Sequence, residues 1–439
     1  MSIRKLALAI VAWSATFAAH AEFYGTRTDV AVSGAPVSIA AGDLNRDGKP
    51  DLAITRSMDG GLTLLINSTF APPAQFTQID FPKPGTDAFH AVALADVDGD
   101  GVVDLIATEG LSVDVYRNQS APQSVSPSFA APLRLATGAN PTSIVVGDLD
   151  GDGFPEIVVT NPSENTIGVY RNEHEAGSSS ASFASAHFLD AGSYPETIAM
   201  ADFDGDGRKD LVTANLLDGT ASIFINQTAS HAAALAFAAH QDFAVGAEPS
   251  DVAAADLNGD GKPDFVTANN SDGTISVYLN ATPSSGAALA FRSQETIAAG
   301  PDPRSLALTD VDADGKTDVI VGDTLVESNQ DSHLQVLRNL TPTGGQALET
   351  ADPVGFAVGP APGRIALADI DHNGRLDVAT ANAATDSLGV TILFALSSIA
   401  NPPGNDGLDP DAGGGGGALS ATPLLILALG ALRRRRAGR

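Results

Sequence analysis

Between residues 23 and 396 the chain is a succession of short apolar runs, each ended by Gly, Pro, Asn or Asp. Segments such as "SIVVGD", "TIAMAD" and "DVAAAD" place apolar residues with the period of two that a half-buried strand requires. Across an acidic turn each leads to a β-branched-rich run such as "VVDLIAT", "DLVTAN" or "DFVTAN". A turn ("LDGT", "SDGT") then opens a third run: "ASIFIN", "TISVYLN" or "TIGVYRN". A polar Ala/Ser/Pro/Gly loop, a fourth run near residues 76–81 or 241–245, and a Gly-x-x-Pro turn complete the unit. No run is long enough for a substantial helix, so strands are expected throughout.

The unit recurs around an acidic nonapeptide. It reads "DLNRDGKPD" (43–51), "DVDGDGVVD" (96–104), "DLDGDGFPE" (148–156) and "DFDGDGRKD" (202–210), then "DLNGDGKPD" (256–264), "DVDADGKTD" (310–318) and "DIDHNGRLD" (369–377). Successive starts are 53, 52, 54, 54, 54 and 59 residues apart. Four strands per repeat and seven repeats predict an all-β, seven-bladed β-propeller with four-stranded blades. The two ends of the repeat array fit each other. Only two strands follow the seventh nonapeptide, near 378–380 and 389–394, and a lone strand at 23–32 precedes the first. Pairing that N-terminal strand onto the last blade closes the ring and removes its open edge. A linear solenoid is the competing architecture, and it gives the match no purpose.

The chemistry sits in the nonapeptides. Residues 96–104 hold four carboxylates on nine residues, and their mutual repulsion needs a counter-charge. Calcium accepts six to eight oxygens, so the first, third, fifth and ninth side chains can converge on one ion. Glycine at the sixth position permits the turn, and the seventh carbonyl is a further donor. The candidate ligands are Asp43, Asn45, Asp47 and Asp51; Asp96, Asp98, Asp100 and Asp104; and Asp148, Asp150, Asp152 and Glu156. The later loops supply Asp202, Asp204, Asp206 and Asp210; Asp256, Asn258, Asp260 and Asp264; Asp310, Asp312, Asp314 and Asp318; and Asp369, Asp371, Asn373 and Asp377. Up to seven Ca2+ ions are expected, more weakly held where Asn45, Asn258 or Asn373 replaces an acid. Glu156, one methylene longer than Asp, suits bidentate contact. A metal-free acidic turn is the competing reading, because Asp and Gly are ordinary turn residues.

Helix-loop-helix calcium sites need flanking helices, and thrombospondin calcium repeats need cysteine, of which the chain has none. The nonapeptides and their strands instead resemble the FG-GAP/VCBS repeat family, which includes the integrin α-chain propeller. Gly34-Ala35-Pro36 spells the GAP element, and "FAVGAEP" at 243–249 is a looser version. Over residues 22–396 the resemblance implies a calcium-stabilised propeller used in adhesion or ligand binding. The family spans many functions, so it implies the scaffold more than the role.

Charge and the chain ends narrow the setting. With 53 Asp+Glu against 24 Lys+Arg and a formal charge of −29, a nucleic-acid partner is not expected. Residues 1–21 read as a signal peptide: Arg4 and Lys5, then "LALAIVAWSATFAA", then Ala19-His20-Ala21. Residues 397–417 form a Pro/Gly-rich linker, and 418–439 an apolar run closed by "RRRR" at 433–436. This order resembles the GlyGly-CTERM sorting tails of exported bacterial proteins, with a permanent tail anchor as the alternative. The protein is therefore expected to be exported to the bacterial cell surface, the outer membrane or the medium, its tail inserted in a membrane before processing. Losing both ends removes seven basic residues, taking −29 to −36, and seven calcium ions would return +14.

With the nonapeptides on one face, the fourth-to-first and second-to-third connections share the other. There His90, Asn140, Tyr194, Glu248, Asp302, Arg304 and Arg364 differ between repeats and are candidates for a ligand surface; ordinary loop variation is the competing reading. The insertion at 323–335 adds to the same face. Asn67, Asn118, Asn172, Asn226, Asn280 and Asn339 end the third strands, and their periodic placement points to a turn role rather than glycosylation, although five lie in N-x-S/T sequons. Tyr116, Tyr170 and Tyr278 recur at one strand position, as packing between blades would require. No nucleophile elbow, HExxH or phosphate loop is present. The expected role is non-catalytic binding of an extracellular protein or glycan. The alternatives are a secreted polysaccharide-acting lyase or hydrolase and an architectural subunit. Trp13, the only tryptophan, would leave with the signal, which weakens sugar stacking.

Overall fold

The computed structural model describes residues 23–81, 87–174, 181–324, 332–383 and 389–396. The signal segment, the linker and the tail, and residues 325–331 of the insertion, lie outside the described residues.

Seven four-stranded antiparallel sheets form the molecule. In the first blade the order from inner to outer strand is Pro36–Gly42, Asp51–Arg56, Leu62–Asn67 and Phe76–Phe81. Its inner strand touches both Phe89–Ala95 of the second blade and Pro362–Ala368 of the seventh, so the ring is closed. The seventh blade runs Pro362–Ala368, Asp377–Asn382, Val390–Ala395 and, outermost, Tyr24–Val30. Thr28 lies opposite Ile392 and Val30 opposite Val390, the closure that the lone N-terminal run predicts.

The period-two expectation holds less widely than the sequence suggests. Second strands such as Asp51–Arg56, Asp210–Asn215 and Asp318–Asp323 are buried at every position. Blades standing radially bury both faces of their middle strands, which is why these read as continuous apolar runs. Outer strands such as Gln241–Ala244 remain largely exposed.

The core is divided into seven clusters, one at each blade interface. Between the fourth and fifth blades Phe203, Val212 and Ile223 meet Val252, Phe265 and Tyr278. The recurring tyrosines do join blades. Tyr170 donates its hydroxyl to the Ala136 carbonyl of the preceding blade at 2.8 Å, and Tyr116 packs edge-on against Phe81 at 5.0 Å. Burying such a ring contributes about 1.5–3 kcal/mol.

Candidate metal centres and the opposite face

Each nonapeptide joins an inner strand to the second strand of its blade, as in the first blade between Gly42 and Asp51. The sixth residue is always a glycine with φ between +81° and +91°, and an added Cβ would meet nothing within 4 Å. The requirement is therefore conformational, not steric. The first carboxylate accepts that glycine's N–H in every loop, at 2.7–3.0 Å. The third side chain accepts the fifth N–H at 3.1–3.3 Å. The fifth accepts the seventh N–H at 2.8–3.1 Å. These nested Asx turns hold three side chains in place and leave lone pairs for a cation.

The ninth acid does more than the sequence suggests. Asp51, Asp104, Glu156, Asp210, Asp264, Asp318 and Asp377 are all fully buried. One oxygen of each accepts the N–H of the second loop residue, at 2.6–3.1 Å. The other accepts an N–H from the end of the third strand, at 2.6–3.2 Å. Burial pushes the six aspartates up to about 7 and Glu156 up to about 8; the two N–H donors oppose the shift and nearby loop carboxylates add to it. The ninth acid is thus both a candidate ligand and the hinge that ties loop to blade.

In five loops three carboxylate oxygens lie within 4.8 Å of one another. The groups are Asp96, Asp98 and Asp104; Asp148, Asp150 and Glu156; Asp202, Asp204 and Asp206; Asp310, Asp312 and Asp318; and Asp369, Asp371 and Asp377. Asp96 Oδ1 and Asp150 Oδ2 are buried without a hydrogen-bond partner. Oxygen donors in this number, with orphaned buried anionic atoms among them, fit a hard divalent cation. Asp100, Asp152, Asp314 and Asp210 stand outside these groups, as do the acids of the loops at 43 and 256, whose third residue is an amide. The amide of Asn258 is engaged elsewhere, donating to the Gly345 carbonyl at 3.1 Å. Asn373 also turns its Nδ2 away, to the Ala395 carbonyl at 2.8 Å, yet three acids of its loop still converge. Arginines crowd three sites: Arg117 lies 3.6 Å from Asp98, Arg338 lies 3.6 Å from Asp312, and Arg208 pairs with Asp206.

On the opposite face the seven candidate ligand residues separate into two groups. Asn140, Tyr194 and Glu248 sit at φ +55°, +61° and +52°, each just before a proline. Here side chains brace turns: Asn140 donates to Ser163 Oγ at 3.3 Å, and Ser271 donates to Glu248 at 2.5 Å. Asp302, in the equivalent turn, accepts from Arg304 Nε at 2.9 Å and from the Asn270 amide. Arg364 belongs to a different place. Inner strands of all seven blades line a central cavity of about 200 Å³, whose polar walls are Ser38, Thr142, Ser143, Asp251 and Arg364. Arg364 reaches from the seventh blade to Asp251 of the fifth at 2.6 Å. The other oxygen of Asp251 accepts the Leu306 N–H of the sixth blade at 2.8 Å. His90 adjoins this lining, and burial pushes its imidazole down. Burial pushes the Glu196 carboxyl up, opposed by Arg364 and reinforced by Asp251. Sequence reasoning missed Glu196 and Asp251. Their signal was the two positions after the turn proline (Phe89 in the second blade): His90, Glu196 and Arg304 at the first, and Asp251 and Arg364 at the second, interrupt otherwise uncharged columns.

Among solved structures the fold is shared widely. BBS1N in complex with ARL6DN matches with a TM-score of 0.53 at 12% identity, over 87% of this chain and 98% of that one. A catalytically inactive virginiamycin B lyase from Staphylococcus aureus, bound to quinupristin, matches at 0.47 and 12%, over 84% and 99%. A lectin of Agrocybe aegerita that recognises non-reducing terminal N-acetylglucosamine matches at 0.49 and 18%, over 74% and 81%. No curated protein matches the sequence. The model of the FG-GAP-like repeat matches five times, at residues 43–107, 96–159, 148–213, 202–267 and 256–321. Each match runs from one acidic loop to beyond the next, and with the matches spanning 43–321 the chain belongs to the FG-GAP-like repeat family.

Proposed function

We propose that the protein is an exported, calcium-binding, non-catalytic propeller that holds an extracellular protein or glycan on the face away from its acidic loops. The observation that carries the metal reading is the convergence of three carboxylate oxygens in five loops, with Asp96 Oδ1 and Asp150 Oδ2 buried and unpartnered. Bound calcium supplies the positive charge that those oxygens lack. Asp98 and Asp104 would complete the first of these sites, and Asp148 and Glu156 the second. The backbone bonds to each ninth acid keep its carboxylate in place whether or not the first and third residues are engaged. The signal-like residues 1–21 support export, and the variable turns and central cavity of the opposite face support a ligand there.

Calorimetric calcium titration of the full chain, with melting curves in calcium and in EDTA, tests the metal reading. Binding of several ions and a lower melting temperature in EDTA are expected. A melting temperature indifferent to chelation, together with no binding heat, overturns it. A glycan array and capture of surface proteins, each run with and without EDTA, test the ligand.

A polysaccharide-acting lyase or hydrolase is the second reading. Its support is the cavity lined by the Arg364–Asp251 pair, together with the raised Glu196 carboxyl, whose charge interacts with both. Turnover of a glycan that binds on the array, lost in Glu196→Gln with melting unchanged, would favour it over the non-catalytic reading.

A further inference from the structure

Beneath the loops runs a second set of hydrogen bonds that the loop motif does not itself require. The asparagines expected to end the third strands of the first six blades are at most 2% exposed; Asn67 does end its strand, and the other five lie two residues beyond theirs. Each donates its backbone N–H to the ninth acid of its own blade. Each Nδ2 donates to two carbonyls. One belongs to the eighth loop residue of its own blade, at 2.8–3.1 Å. The other belongs to the second loop residue of the preceding blade, at 2.6–2.9 Å. That second residue in turn donates its N–H to the ninth acid of its own blade. The chain of bonds can be followed from blade to blade. Asn226 bonds the Leu149 carbonyl, Leu149 donates to Glu156, Glu156 accepts from Asn172, and Asn172 bonds the Val97 carbonyl.

The seventh blade has no such asparagine. Its third strand ends at Ala395, whose N–H still reaches Asp377 at 2.7 Å but whose side chain has nothing to donate. Arg375, the seventh residue of the last loop, fills the gap: its Nη2 donates to the Val311 carbonyl of the sixth blade at 2.6 Å. The substitution is imperfect, because Arg375 Nε is buried without a partner. The belt therefore closes around all seven loops, with an arginine in the blade that the N-terminal strand completes.

We propose that this belt couples the loops, so that a cation bound in one raises the affinity of the loops in adjacent blades, and that Arg375 carries the coupling across the seam. The proposal rests on the calcium reading above. Ordering one loop fixes the carbonyl of its second residue, to which the next blade's asparagine is bonded. That asparagine holds the ninth acid of the next site. Part of the ordering cost of the second site is then already met when the first is filled, which is positive cooperativity without a change of fold. The asparagine side chains and the Arg375 guanidinium are positioning groups, touching the liganding loops and not the ion.

Calcium titration of the full chain by calorimetry tests this, with Asn226→Ser, Arg375→Met and Arg375→Lys, and Arg27→Met as the control. Arg27 is an arginine of the same blade, paired with Asp29 on its outermost strand and outside both the loops and the belt. The unsubstituted chain is expected to bind more steeply than independent sites allow. Arg375→Met should flatten the isotherm and weaken the sites at 310 and 369 by roughly tenfold. Arg375→Lys should recover part of the slope, and Arg27→Met should leave it unchanged. A residue that only stabilises the fold would lower the melting temperature in EDTA without altering the slope. If Asn226→Ser does not fold, the seam variants still decide, because they leave the Ala395–Asp377 bond in place. Calcium binding of ordinary steepness, or a slope untouched by Arg375→Met, overturns the coupling and leaves the calcium reading standing. Absence of calcium binding overturns both.

Discussion

The two faces of the ring are made from the same strands and follow different rules. On one, seven loops repeat the same bonds in the same order, down to the two N–H groups on each ninth acid. On the other, the residue before the turn proline is Asn140, Tyr194, Glu248 or Asp302 in four successive blades, and the bonds it makes differ each time. The difference lies in where the partners are. A loop's second residue donates to the ninth acid of its own blade and accepts from the asparagine of the next, so a change in one loop disturbs the next. Asn140 and Glu248 bond only to the neighbouring turn of their own blade, so each can vary alone, whereas Tyr194 and Asp302 bond to Asn165 and Asn270 of the preceding blade without a pattern common to the ring. A scaffold constrained on one face and free on the other suits recognition, because ligand residues can change without loss of the ring.

The largest effect expected to separate the faces comes from pH in the absence of metal. Burial holds six ninth aspartates at about 7 and Glu156 at about 8. In the unfolded chain such groups lose their protons near pH 4. Between about pH 4 and pH 7 the folded state therefore binds more protons than the unfolded one. The stability this lends is complete below about pH 4 and is lost as pH rises through 7. In EDTA the melting temperature should fall between about pH 5 and pH 8, by roughly 10 °C or more because seven groups act together. Calcium should flatten or reverse that slope, since its ligands must be deprotonated. Equal melting at both pH values in EDTA would mean that the loop acids are not what distinguishes this face.

A pair of substitutions sharpens the contrast at single residues. Asp264→Ala strands two buried N–H groups, those of Leu257 and Asn280, and should cost about 2–5 kcal/mol. Arg304→Gln, on the other face, removes an ion pair whose arginine is half exposed and should cost about 1 kcal/mol or less. Urea denaturation of the two variants measures both. Comparable losses would show that the opposite face is as constrained as the loops.

Repetition decides what could be read in the sequence. The blades, the closing strand and the loop positions all recur at a near-constant interval, so one copy teaches the others. The belt was half visible. Its asparagines repeat, but they bond to backbone carbonyls 74 to 82 residues away in five of the six cases, and a carbonyl leaves no mark in the residue type. Arg375 was hidden further, because the seventh loop position is also basic at Lys49, Arg208, Lys262 and Lys316, and nothing in the residue type marks the one that reaches the preceding loop. Asp251 and Arg364 are 113 residues apart, and only the closed ring brings the fifth blade to the seventh. The full burial of the middle strands is likewise a product of radial packing, not of any one strand's pattern.

The smallest effect tests whether the faces are independent. The fourth loop residue is left-handed in every copy, and it is glycine in four: Gly99, Gly151, Gly205 and Gly259, at φ +68° to +73°. Ala313 holds the same conformation at +61° with a Cβ that disfavours it. On the other face Ala361 does so at +54°, just before Pro362. A left-handed alanine costs about 1 kcal/mol, and glycine returns part of that gain through its greater freedom when unfolded. Ala313→Gly and Ala361→Gly should each stabilise the chelated protein by about 0.5 kcal/mol, seen in urea denaturation in EDTA. Only Ala313→Gly should also move the calcium midpoint, because residue 313 lies between the first three liganding positions of its loop, whereas residue 361 touches none. A calcium shift in Ala361→Gly as large as that in Ala313→Gly would mean that strain passes through the blade from one face to the other, and the separation of a fixed face from a free one would fail.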